Sequence, residues 1–117
     1  MNQKSILIVD DDPDLCTLMT NALKRLHFLV ECTYSLKDGL RRISEIQPFL
    51  IFLDHNLPDG KGLNVINNIK KKSRCKVIVM SADPSHFVRT LALKRGADDF
   101  IEKPFKTEDI TTIAEQP

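Results

Sequence analysis

The stretch Phe49-Leu50-Ile51-Phe52-Leu53-Asp54-His55-Asn56-Leu57-Pro58 decides the fold. An unbroken apolar run ends abruptly in a carboxylate, and a proline closes the segment shortly after. A run this short and continuous suits a strand buried on both faces, where an alternating polar residue would have no water to meet. Similar runs stand to either side: Ile6 to Val9, Phe28 to Val30, Val77 to Met80 and Phe100 to Ile101.

Longer segments of helical period separate these runs. Leu15, Leu18, Met19, Ala22, Leu23 and Leu26 recur at the spacing of one helix face, as do Leu36, Leu40, Ile43 and Ile46. Leu63, Ile66 and Ile69 mark a third helix, and Phe87, Val88, Leu91 and Ala92 a fourth. Ile110, Ile113 and Ala114 mark a shorter fifth. Asp12-Pro13 and Asp83-Pro84 each place a capping acceptor before a proline suited to the first helical turn. Ser35 with Asp38 resembles a capping box, and Gly96 suits a helix C-terminus. Five βα units in strict alternation predict a single-domain, doubly wound α/β fold, a five-stranded parallel sheet with helices on both faces.

Bulk properties narrow the function. The chain has 117 residues and a formal charge of +1, with 42% hydrophobic and 28% charged residues. That describes an ordinary globular domain and argues against direct nucleic-acid binding. The basic run Lys70, Lys71, Lys72, Arg74 and Lys76 closes the third helix, where cations favour the negative end of the dipole. Cys16, Cys32 and Cys75 form no metal or disulfide pattern, which fits a reduced, cytoplasmic setting. The N-terminal residues carry no signal-peptide pattern, and no apolar segment approaches the roughly 20 residues of a membrane span.

In a parallel sheet of this kind the functional crevice lies beyond the carboxyl ends of the strands. The residues that follow the apolar runs are therefore the ones to inspect. They are Asp10-Asp11-Asp12, Asp54, Ser81-Ala82-Asp83 and Glu102-Lys103-Pro104-Phe105. Carboxylates this close raise one another's pKa unless a cation sits among them. An all-oxygen cluster suits Mg²⁺, and with Lys103 it supplies the electrostatics that phosphoryl transfer needs. A carboxylate is also a competent nucleophile toward phosphorus.

Taken in order, Ile-Val-Asp10-Asp11, Leu53-Asp54-x-x-Leu57-Pro58 with Gly62, Ser81-Ala82, and Gly96-Ala97-Asp98-Asp99-Phe100-Ile101-x-Lys103-Pro104-Phe105 resemble the receiver domain of two-component response regulators. The resemblance covers essentially the whole of residues 1–117. It implies a flavodoxin-like fold with strand order 2-1-3-4-5. It further implies that Asp54 accepts a phosphoryl group from a histidine kinase or histidine phosphotransfer protein. Asp10, Asp11, Asp54 and the backbone carbonyl of Asn56 would ligate Mg²⁺. Ser81 and Lys103 would bind the phosphoryl oxygens, with a cis peptide before Pro104, and Phe100 would be the aromatic switch. The signalling surface, and any homodimer, would use the fourth helix, fifth strand and fifth helix. Output would pass to an effector protein or to an output domain of a longer regulator or hybrid kinase.

Plainer roles compete at several positions. Asp12 is expected to cap the first helix. Asp83 divides evenly between capping the fourth helix and, with Asn56, tuning loss of the phosphoryl group. His27, His55 and His86 are scattered, and only His55 lies beside the site. Lys61 departs from the family, which often has aspartate or a small polar residue there. The last helix reads as short, ending within Glu115 to Pro117. A haloacid-dehalogenase-like phosphohydrolase would need Asp-x-Asp-x-Thr/Val after the first strand, and Asp10-Asp11-Asp12-Pro13-Asp14 lacks it. A flavin-binding relative would need a phosphate-cradling loop where three aspartates stand. An unphosphorylated receiver-like binding module is the remaining alternative, and the intact acidic set argues against it.

Overall fold

The computed structural model describes residues 3–83 and 86–116. The chain runs β1 (Ser5–Val9), α1 (Pro13–Lys24), β2 (Leu29–Thr33), α2 (Leu36–Ile46), β3 (Leu50–Asp54), β4 (Asn56–Leu57) and β5 (Gly60–Lys61). A 3₁₀ turn (Gly62–Val65) then leads into α3 (Ile66–Lys72), β6 (Lys76–Ser81), α4 (His86–Lys94), β7 (Asp99–Glu102) and α5 (Thr107–Glu115). Five strands form one parallel sheet in the order β2-β1-β3-β6-β7, and β4 with β5 makes a separate antiparallel ribbon. Counting sheet strands alone, this is the expected order 2-1-3-4-5.

Alternation along the central strands builds two cores. Leu7, Val9, Ile51, Leu53, Val77 and Val79 face α2, α3 and α4, packing on Ile43, Ile66, Ile69, Val88 and Ala92. Their neighbours Ile6, Ile8, Leu50, Phe52, Ile78 and Met80 face α1 and α5, packing on Met19, Leu23, Ile110 and Ala114. Both sets are buried, which is why β1, β3 and β6 carry no polar alternates. Removing a fully buried side chain such as Phe52 to Ala would cost about 3–5 kcal/mol.

Three local expectations need correction. The second strand starts at Leu29 and runs to Thr33, not over Phe28 to Val30. His27 adopts a left-handed φ of 70° that turns the chain, so Phe28 becomes a link stacked 5.6 Å from Phe49. As an edge strand, β2 tolerates Glu31, which forms an ion pair with Arg42 of α2. Phe87 lies on the outer face of α4 and is 71% exposed, so it is not a core residue. At α2, Ser35 accepts the Asp38 N–H as a cap, but the Asp38 carboxylate turns to Arg41.

Other boundaries follow from the residues that cap them. Asp12 accepts the N–H groups of Asp14 and Leu15, and Pro13 opens α1. Gly96, at φ 109°, lets the chain leave α4 toward β7. Asp98 then accepts hydrogen bonds from the Val77 N–H and the Lys70 ammonium, both at 2.8 Å, fixing β7 to β6. Lys70, Lys71 and Lys72 close α3 as the dipole argument requires. Pro84, the expected start of the fourth helix, and Pro117 lie outside the described residues.

Candidate functional site

The strands end level with one another. Val9 pairs with Leu53, Asp54 with Met80, and Ser81 with Glu102. Hydrogen bonds from Asp10 N to Thr33 O, His55 N to Met80 O and Lys103 N to Ser81 O carry the ladder one residue further. Parallel register therefore brings Asp10, Asp54, Ser81 and Lys103 to one edge.

Carboxylate oxygens of Asp10, Asp11 and Asp54 lie within 4.8 Å of one another. Asp10 is fully buried; its Oδ1 accepts the Asp12 N–H at 2.9 Å, and its Oδ2 accepts from Lys103 Nζ at 2.6 Å. Lys103 Nζ also stands 3.4 Å from Asp54 Oδ1. Asp11 is exposed at the mouth. Burial, then the Asp10 charge, push Asp54 up to about 6, against the opposing pull of Lys103. Burial works against the Lys103 ammonium, yet its bonds to Asp10 and Asp54 hold it above the ordinary lysine value.

Ser81 is fully buried at the end of β6, where its Oγ accepts the Asp83 N–H at 3.0 Å. The peptide between Lys103 and Pro104 is cis. Gly62 lies against the backbone of Asp54: a Cβ there would stand 2.4 Å from the Asp54 carbonyl oxygen. Glycine at this position is what lets the chain pass so close beneath the acidic residue.

A model of the response regulator receiver domain matches residues 6–115. The chain belongs to this family. Solved structures agree in fold. The receiver is similar to a two-component response regulator from Clostridium difficile at 26% identity, covering 97% of this chain and 93% of that one, with a TM-score of 0.93. It is 33% identical to the receiver domain of NtrX from Brucella abortus, with 94% of each chain covered and a TM-score of 0.86. A third similar structure is the BeF3-activated DrrB receiver domain, at 25% identity, 97% and 96% coverage and a TM-score of 0.89.

Around the receiver's acidic edge, the β4–β5 ribbon carries Asn56 and Lys61. Asn56 N lies 3.4 Å from Asp54 Oδ1, and its side-chain oxygen accepts from Lys61 across the ribbon. Lys61 is exposed on the second strand of the ribbon. His55 is half-buried beside Asp54; burial, then the Lys61 charge, lower its pKa while Asp83 opposes them. His27 and His86 are not part of this edge. Phe100 is buried in the α2–α3–α4 core, with the Arg89 guanidinium 5.8 Å from its ring centre.

Asp59 is the residue that sequence reading missed. Its two oxygens accept the N–H groups of Leu36 and Lys37 at 2.8 and 2.9 Å, clipping the ribbon to the start of α2. Those two bonds hold its carboxyl below the ordinary range. The available signal was Asp59-Gly60, a turn dipeptide, which announces a turn and gives no hint of the partner.

Proposed function

We propose that Asp54 is the phosphoryl acceptor of this receiver, with a phosphohistidine on a kinase or phosphotransfer protein as the donor. The observation that carries the reading is the convergence of three carboxylates within 4.8 Å, two of them paired with the Lys103 ammonium. An Asp54 oxygen attacks phosphorus as the bond to the donor nitrogen breaks, leaving an acyl phosphate on the receiver. Lys103 meets the incoming negative charge. Ser81 Oγ, at the end of the adjacent strand, hydrogen-bonds a phosphoryl oxygen, and Phe100 follows its movement.

The donor set fits a hard divalent cation: all-oxygen, crowded, and repulsive enough to raise Asp54. Asp10, Asp11 and Asp54, with the Asn56 carbonyl, would hold Mg²⁺, which when bound neutralises charge on the phosphoryl oxygens. Asn56 and Asp83 flank the acceptor and set how readily water removes the phosphoryl group. Activation of the similar DrrB receiver by BeF3 supports a switch at this edge.

Residues 1–117 then form one switching domain working in the cytoplasm. Its message leaves through α4, β7 and α5 to an effector, an attached output domain or a second copy. Among the described residues no helix is long and apolar enough to cross a membrane. The test is incubation with Mg²⁺ and a small acyl phosphate, followed by intact mass. One added phosphoryl group is expected, absent in Asp54→Asn and prevented by chelation. Equal modification of Asp54→Asn overturns the assignment.

A further inference from the structure

The cysteines look unrelated in sequence, yet the fold brings two of them together between α1 and β2. Cys32 Sγ lies 3.7 Å from the Cys16 carbonyl oxygen and 3.2 Å from Thr20 Oγ1, one helical turn further along α1. Cys16 Sγ donates to the Asp10 carbonyl at 3.3 Å. Cys75 belongs to the core on the opposite side of the sheet. Exposure differs within the pair: Cys16 is buried, whereas Cys32 on the edge strand is half-buried. A dissolved oxidant therefore meets Cys32 first, with Cys16 directly behind it.

We propose that Cys16 and Cys32 are a site of oxidative modification, a dithiol that hydrogen peroxide converts to a disulfide joining α1 to β2. The Cys32 thiolate attacks a peroxide oxygen; the O–O bond breaks, a sulfenic acid forms, and the departing hydroxide takes up a proton as water. The Cys16 sulfur then attacks the Cys32 sulfur. The S–O bond breaks, the hydroxyl leaves as water with the Cys16 proton, and the S–S bond closes. Two thiols lose two electrons, and one peroxide becomes two waters. Cys32 is the more accessible of the two sulfurs and has the Thr20 hydroxyl 3.2 Å away, so it is the one that meets the peroxide. Closure turns Cys16 Sγ away from the Asp10 carbonyl.

The test uses the full chain, reduced and then exposed to hydrogen peroxide, unfolded, blocked with a maleimide and weighed intact. Three blocked cysteines are expected before oxidation and one after, with a peptide cross-link between Cys16 and Cys32 that dithiothreitol reverses. Cys75→Ser closes as the wild type does. Cys16→Ser stops at a sulfenic acid on Cys32, trapped by dimedone. Asp54→Asn closes normally, so this outcome is independent of the phosphoryl reading. Three maleimide-reactive thiols after peroxide, a cross-link through Cys75, or a bond only between chains overturns the proposal.

Discussion

The Lys103 ammonium is shared unequally by two acidic residues, 2.6 Å from Asp10 Oδ2 and 3.4 Å from Asp54 Oδ1. Asp10 is buried and holds the shorter contact, so it anchors the lysine. Asp54 feels the same charge at longer range. The two carboxylates are thus distinguished by which one the lysine holds closely.

Replacing that lysine separates its two duties. Lys103→Ala leaves Asp10 buried without a counter-ion, a change expected to cost about 2–4 kcal/mol in metal-free protein. Urea unfolding with and without Mg²⁺ measures this. The stabilisation by Mg²⁺ should be larger in the variant than in the wild type, because the cation replaces a missing charge. Phosphorylation should nevertheless be slowed, since Lys103 is no longer there to meet the phosphoryl oxygens.

Asp54 sets a pH dependence. Its folded value of about 6 exceeds its ordinary value, so its favourable contribution is complete below the ordinary carboxylate range and is lost as pH rises through about 6. In metal-free protein, Asp54→Asn should therefore be more stable than wild type by about 3 kcal/mol near pH 7, and the gap should close toward about pH 4. Thermal melts in chelator across that range decide it. A variant less stable than wild type throughout would contradict the sign.

Gly62→Ala tests the close approach beneath the acceptor. A methyl group 2.4 Å from the Asp54 carbonyl oxygen forces backbone to move, at an expected cost of about 2–4 kcal/mol. The displaced backbone is that of Asp54, so phosphorylation should fall even where circular dichroism shows the variant folded. Unaltered stability together with an unaltered modification rate would remove Gly62 from the site.

The Asp59 clip gives a pH trend of opposite sign. Its folded pKa is depressed by the Leu36 and Lys37 N–H groups, so its contribution is present above the ordinary carboxylate value and lost as pH falls through the depressed one. Asp59→Asn should lower the melting temperature modestly at neutral pH and converge with wild type in acid. Hydrogen exchange at the Leu36 and Lys37 amides should accelerate in the variant, reporting the loosened start of α2.

The sequence was most informative where burial leaves no choice. β1, β3 and β6 are buried on both faces, so their runs are unbroken, and the polar residue after each run marks the sheet's edge. β2 was misplaced because an edge strand admits Glu31 and Thr33, and because the turn at His27 has no side-chain signature. Phe87 fits helical periodicity while facing outward, since spacing reports a stripe without saying which stripe is covered. Asp59 and the Cys16–Cys32 meeting were invisible for another reason. Their partners are remote in sequence, and only the packed helices bring them into range.

The sheet also acts as a partition. Phe100 lies in the half shared with α2, α3 and α4, whereas Cys16, Met19, Ile110 and Ala114 occupy the other half. Phe100 shares its half with Val88 and Ala92 of α4, while the α1–α5 packing lies across the sheet. Substitutions that repack the α1–α5 half should thus alter how firmly the domain holds together, and those around α4 should alter what it transmits, giving one small chain two faces on which mutation has separate consequences.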